Sequence, residues 1–263
     1  MWTVGVHADV MVVRSAFWQT TCTVVHRDGT DGATECFVVD SPVLPDELDA
    51  LPMVLAQAGW EPTGLLCTHG DWDHLLGSLA FPGATLGCAE TTAARLRSEP
   101  GAAQRGLRDF DEEHYVERPR PLSLGHVDPL GVPGHVGIGD AELDVLPTAG
   151  HTADGMAIWV PWARVLVCGD YLSPVEIPWL SLTGSRDAYL ATLELLRPYV
   201  EQAEFVVPGH GTPLDARRAL AIMREDADYL RALPDPDAPL PPARRTKAQR
   251  KIHAENVERM RTR

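Results

Sequence analysis

Nothing in the chain approaches the roughly 18 consecutive apolar residues that a membrane-spanning helix needs, so no bilayer-spanning segment is expected. The first residues, MWTVGVHADV, lack a basic stretch followed by an apolar one, so no signal peptide is expected either. Cysteine is scarce. Cys22, Cys36, Cys67, Cys88 and Cys168 are odd in number and widely spaced, and no CxxC occurs. That speaks against a disulfide framework and for reduced, buried thiols in a cytoplasm. Basic residues are also in deficit, with 23 Lys and Arg against 37 Asp and Glu, a net charge of −14. The deficit is uneven: residues 243–263 carry +6 and residues 1–242 carry −20. A body that acidic repels a nucleic-acid backbone unless it has a local basic channel. Neither a nucleic-acid partner nor a membrane partner is therefore expected, and the sequence does not specify an oligomeric state.

What is present is a soluble, core-forming composition, 44% hydrophobic over 263 residues. Strands are expected in DVMVVRSAFW, CTVVHR and CFVVDS, with RDGTDG as a turn. A helix is expected at about 46–58, stopped by Gly59 and restarted or kinked at Pro52. GLLCTH and ATLGCAE read as strands. Residues 91–118 read as helices broken at Pro100 and Gly101, and 119–139 as loop with possible short strands. Strands return at ELDVLP, GMAIWV, RVLVCGD and EFVVPGHG. A helix at 185–200 is expected with Ser185 as its N-cap. Another is expected to begin around Thr212, Pro213 and Asp215. The order suggests two β-plus-α halves, a domain over 1–233 with an insertion at 91–135. A proline-rich spacer at 234–245 and a basic C-terminal helix at 246–263 follow. Thr246 and Gln249 form a capping-box pattern, and Ile252, Val257 and Met260 make a thin apolar stripe for docking on the acidic body.

Chemistry concentrates at strand ends. GLLCTH ends at His69 and runs into THGDWDH. ELDVLPTAGH leads to His151, RVLVCGD ends at Asp170 and EFVVPGH ends at His210. A single histidine after a strand is ordinarily a hydrogen-bonded structural residue. Four apolar strands each ending in a metal-type ligand form a different pattern. His69, Asp71, Asp73, His74, His151, Asp170 and His210 are enough for two divalent ions, each with an open position.

HGDWDH, TAGHTADG, VLVCGDYL and VVPGHG, in that order across roughly residues 10–215, resemble the motifs of the metallo-β-lactamase-fold hydrolases. With Asp170 the chain resembles the glyoxalase II and lactonase side of that family more than the classical β-lactamases. The resemblance implies an α/β fold, a four-layer αβ/βα sandwich with metals at one edge between two sheets. By position it implies one ion on His69, Asp71 and His151, another on Asp73, His74 and His210, and Asp170 between them. Asp71 departs from the family pattern, which usually has histidine there, so the motif is HxDxDH rather than HxHxDH. A hard oxygen ligand shifts preference towards Mn²⁺ or Fe²⁺, whereas zinc is the family's usual metal.

The implied chemistry is hydrolysis by a metal-bridging hydroxide, with Asp73 as the catalytic carboxylate that orients it and passes on a proton. Counting two M²⁺, three aspartates and a hydroxide gives a formally neutral centre, which favours an ester, thioester, lactone or amide over an anionic phosphodiester. A phosphodiesterase or nuclease on the same site is the alternative. So is a mononuclear-iron enzyme of the persulfide-dioxygenase kind, while a purely structural site is disfavoured because such sites close with four ligands per ion. Trp72, Tyr171, Glu176 and Trp179 are candidate substrate contacts near the motifs, and His114 and Tyr115 are candidates from the insertion. His253 and Asn256, at i,i+3 spacing, are expected within reach of the pocket rim. Cys67 and Cys168 share a strand face with the ligands two residues on, but read as small buried hydrophobes.

Overall fold

The computed structural model describes residues 1–30 and 32–262. Asp31 of the expected RDGTDG turn and Arg263 of the expected basic helix lie outside the described residues.

Alternation of apolar side chains builds the layers. Val38 and Leu65 point to one face of their strands, and their neighbours Val39 and Leu66 to the other. The strands β1 (Trp2–His7), β2 (Val10–Arg14), β3 (Thr21–Asp28) and β4 (Thr34–Asp40) pair antiparallel. Next come α1 (Pro45–Ala58), β5 (Gly64–Leu66), a 3₁₀ turn at Trp72–His74, α2 (Gly77–Ala80) and β6 (Leu86–Ala89). Then α3 (Glu90–Ser98), α4 (Ala102–His114) and β7 (Val127–Leu130) complete the first half. β4 to β7 pair in parallel, so helices must carry the chain back between them. The resulting seven-stranded sheet keeps strict sequence order.

The second sheet has five strands: β8 (Gly134–Ile138), β9 (Ala141–Pro147), β10 (Met156–Val160), β11 (Val165–Val167) and β12 (Phe205–Val207). α5 (Arg186–Gln202) carries the chain from β11 to its parallel neighbour β12. α6 (Ala216–Ala232) and α7 (Lys247–Arg261) follow.

Three buried clusters define four layers. Val39, Leu66, Leu143, Ile158 and Val167, among others, fill the space between the sheets. Val38, Leu65 and Cys88 pack outward on α1, α3 and α4. Ala157, Leu166 and Val206 pack outward on α5, α6 and α7. Each fully buried Val or Leu contributes roughly 1.5–3 kcal/mol, so the double-sided strands are the main source of cohesion. No described helix is long and apolar enough to cross a membrane.

The main elements follow the sequence expectations, but α2 and the 3₁₀ turn were not expected, and four further differences stand out. β1 was not expected; it pairs with β2 at the sheet edge. α1 runs through Pro52 as one helix, ending at Gly59 with φ 75°. α6 is capped by Asp215, which accepts from the Arg218 N–H, and not by Thr212. Thr246 caps α7, but the Gln249 side chain does not close the box: it accepts from the Ile177 N–H at 2.7 Å, across the molecule.

Candidate metal centre

Topology brings the strand ends together. β9 and β11 both run antiparallel to β10, so they point the same way, and β12 is parallel to β11. His151, Asp170 and His210 therefore emerge at one edge of the sandwich, and His69, which follows β5 of the other sheet, meets them there. Two cross-links hold that edge: the Met156 N–H donates to Thr68 O, and the Thr21 N–H to Gly209 O, both at 2.7 Å. Glycine is needed at two points. Gly169 turns the chain before Asp170 with φ 56°. At Gly209 a Cβ would collide with Asp170 Oδ1, the backbone C of Gly169 and the His74 ring.

Seven side chains converge there. Asp170 faces both ways. Its Oδ2 lies 3.3 Å from His151 Nε2 and 3.8 Å from His69 Nε2. Its Oδ1 lies 3.2 Å from His74 Nε2 and 3.4 Å from His210 Nε2. Asp71 Oδ2 completes the first group, 3.4 Å from His151 Nε2 and 3.6 Å from His69 Nε2. Asp73 Oδ2 completes the second, 3.5 Å from His210 Nε2 and 3.6 Å from His74 Nε2. Ligands held about 2.1 Å from a shared tetrahedral ion stand about 3.4 Å apart, so these separations suit ion coordination. His69, Asp71 and His151 form one group able to hold a metal ion, and Asp73, His74 and His210 another.

The outward ring nitrogens explain why the inward ones are available. His74 Nδ1 donates to Asp40 Oδ2 at 3.0 Å, His151 Nδ1 to Trp179 O at 2.9 Å and His210 Nδ1 to Trp18 O at 3.1 Å. Thr68 Oγ1 donates to Asp40 at 2.9 Å and can accept from His69 Nδ1 at 3.1 Å. With protons held on Nδ1, each Nε2 turns its lone pair inward. The Nε2 atoms of His69, His74 and His151, together with Asp170 Oδ1, are buried without a hydrogen-bond partner. Such atoms are costly to bury unless something else meets them. Divalent cations fit this donor set.

Electrostatics point the same way. Burial alone would depress His210, but Glu176 and Asp170 push it up to about 10. His74 is likewise raised against burial by Asp73, Asp170 and Asp40. Burial would raise Asp170, yet His210 and His74 hold it well below the usual carboxylate range. The centre favours positive charge, and cations compete there with protons.

A cleft of about 480 Å³ opens over the centre. Trp72, Glu176 and Trp179, three of the candidate contacts, line it. Trp72 is backed by Phe110 of the insertion at a ring distance of 4.8 Å and faces Trp18 at 5.7 Å. The other expected contacts lie elsewhere. Tyr171 is buried beneath the site, where its hydroxyl accepts from the His151 N–H. His114 packs on Phe17 and Phe110, behind the cleft wall. Tyr115 is 95% exposed beside a separate groove at the end of α4. His253 and Asn256 do not reach the rim: His253 contacts the Tyr229 hydroxyl and Pro236 O, and Asn256 bonds Leu180 N and Pro178 O.

Three contributors escaped the sequence reading. Asp40 ends β4 just as the other acids follow their strands, and that was its only signal. Arg95 and Asp154 bracket the motif: Arg95 donates to Asp71 Oδ1 at 2.7 Å and to Asp154 Oδ1 at 2.9 Å. Their opposite charges leave the formal sum at the centre unchanged. Trp18 and Lys251 also line the cleft, brought there by the loop before β3 and by α7.

A family model described as the metallo-beta-lactamase superfamily matches residues 16–210. A hydroxyacylglutathione hydrolase from Jannaschia sp. (strain CCS1) is 27% identical over 226 residues, spanning 85% of this chain and 75% of that protein. Among solved structures, the stereoselective inverting sec-alkylsulfatase Pisa1 from Pseudomonas sp. is similar with a TM-score of 0.69 at 14% identity. That match covers 89% of this chain but 42% of the alkylsulfatase, less than half its length. The DIM-1 metallo-beta-lactamase is similar with a TM-score of 0.57 at 19% identity, covering 85% of this chain and 96% of that one. At these identities the structural likenesses speak for the fold alone. With three quarters of its length matched by the family model, the chain belongs to the metallo-beta-lactamase superfamily.

Proposed function

We propose that this metal-dependent hydrolase uses two divalent ions to cleave a small carboxyl derivative, an ester, thioester or lactone. The observation that carries the reading is Asp170, whose two oxygens face two different histidine pairs at 3.2–3.8 Å. The relative named hydroxyacylglutathione hydrolase supports a thioester or similar acyl substrate. When bound, the ions would polarise the scissile carbonyl and activate a water.

The chain's own residues do the rest. His69, Asp71 and His151 would hold one ion, Asp73, His74 and His210 the other, and Asp170 both. Asp73 lines the cleft beside His210 and is the carboxylate placed to orient the attacking water and move its proton. Trp18, Trp72 and Trp179 offer flat apolar walls for the acyl group, and Ile177 and Ile252 extend them. Glu176 and Glu255 on the same walls, against Lys251 as the single Lys or Arg among the described lining residues, disfavour a phosphodiester anion. The five free, buried thiols support work in a reducing compartment, the cytoplasm.

The test is a substrate-class screen on protein purified without chelator. p-Nitrophenyl esters, acyl-lactones and acyl-thioesters should turn over, and bis-p-nitrophenyl phosphate should not. His69→Ala and Asp170→Ala should each lower turnover more than about 100-fold while the fold persists. Near-normal rates in either variant, or turnover of the phosphodiester alone, would contradict the proposal. Oxygen consumption with a single bound iron would move the chain to the dioxygenase alternative.

A further inference from the structure

Asp71 stands where the family usually has histidine, and its surroundings give a reason. Its Oδ2 faces His69 and His151, while its Oδ1 accepts from Arg95 Nη2 at 2.7 Å. Arg95 is held in that pose from behind. Nη1 donates to Asp154 Oδ1 at 2.9 Å, and Asp154 Oδ2 accepts from Thr92 Oγ1 at 2.8 Å and from the Gly70 N–H at 2.9 Å. Gly70, the motif residue between His69 and Asp71, leaves room for this cluster. A Cβ there would stand 3.2 Å from Asp154 Oδ2 and 3.4 Å from Arg95 Cδ.

A guanidinium only donates, and an ionised carboxylate only accepts. Asp71 can therefore accept from Arg95 with one oxygen and turn a lone pair inward with the other. Histidine cannot do both. A ring nitrogen that accepts from Arg95 must be bare, which puts the proton on the inward nitrogen and removes the lone pair a metal needs. Asparagine fails for a related reason. With its oxygen inward, its NH₂ meets the guanidinium donors; flipped, its NH₂ faces the ion position.

We propose that Arg95 is a positioning residue that makes a carboxylate obligatory at position 71, so that Asp71 and Arg95 form a matched pair at the first metal position. The inference rests on the dinuclear reading above and assigns a role to a side chain that does not itself touch the ion.

The test is a cycle of variants read by metal binding, not by turnover. Zn²⁺ content and affinity, by chelator competition, are measured for wild type, Asp71→His, Arg95→Gln and the double variant. Glutamine can turn its carbonyl towards the new ring and accept its outer N–H. In the Arg95 background, Asp71→His should weaken Zn²⁺ binding at one of the two sites by at least about tenfold. In the Arg95→Gln background the same exchange should cost less than about threefold. Asp71→Asn, nearly isosteric with aspartate, should likewise cost more beside Arg95 than in the Arg95→Gln background, over the loss of a charged ligand common to both, and serves where the histidine variant does not fold. An equal cost in both backgrounds, for both exchanges, overturns the pairing while leaving the metal site standing. Wild-type protein that binds no divalent ion overturns the site reading, and the pairing with it.

Discussion

At the residue scale, the centre depends on which nitrogen of each histidine carries its proton. Four rings have Nδ1 engaged by Asp40, Thr68, Trp179 or Trp18, and each turns Nε2 inward. Asp40 contributes most to this arrangement. It sits at φ 58° at the end of β4, binds His74 directly and accepts both the N–H and the hydroxyl of Thr68. Removing an outer partner of this kind ordinarily costs 10- to 100-fold in metal affinity. Asp40→Ala should therefore weaken Zn²⁺ binding by about that factor, measured by chelator competition, with all seven inward side chains intact. Unchanged affinity would mean that His74 needs no orienting partner. The seven inward residues were legible because each belongs to a short motif at a strand end. Asp40, Arg95 and Asp154 were not, because nothing in their local sequence marks which distant ring or carboxylate they meet.

At the element scale, α7 and Arg244, two residues before its cap, do more than bury an apolar stripe. Val257 is buried in the outer core, with Ile252 and Met260 partly buried against it. The polar side chains of this segment reach the backbone of 173–180, the stretch that carries Glu176 and Trp179. Arg244, fully buried, donates to Ser173 O and Glu176 O, Gln249 accepts from Ile177 N–H, and Asn256 and Arg259 bond the backbone at Leu180. That stretch also supports the centre: Trp179 O receives His151 Nδ1, and Ser173 Oγ donates to His210 O. Arg244 further pairs with the buried Asp226. Breaking a buried ion pair by removing one partner costs about 3–5 kcal/mol. Arg244→Met should lower unfolding free energy by about that amount in a denaturant titration and reduce metal affinity along with it. A loss under about 1 kcal/mol would show that the pair contributes little. A composition of basic residues on an apolar stripe suggested docking, but could not reveal that the contacts are to backbone atoms of one particular loop.

At the scale of the whole molecule, the two β-plus-α halves were readable because strands covered on both faces are apolar throughout, whereas a half-exposed one such as β1 is not; the four-layer sandwich came from the family resemblance. β1, with exposed and intermediate positions along its length, was missed for that reason. The insertion at 91–135 was visible as a segment between motifs, yet its effect on the cleft works through Phe110 behind Trp72 rather than through His114 or Tyr115. Such second-layer packing depends on the angle at which α4 meets the sheet, which periodicity does not encode. Two cations sharing Asp170 are the claim on which the functional account stands. Anomalous diffraction from crystals soaked in Zn²⁺ tests it directly. The account predicts two peaks about 3.5–4 Å apart, one beside His69, Asp71 and His151, the other beside Asp73, His74 and His210, with one Asp170 oxygen on each. A single peak, or two peaks away from Asp170, would contradict it.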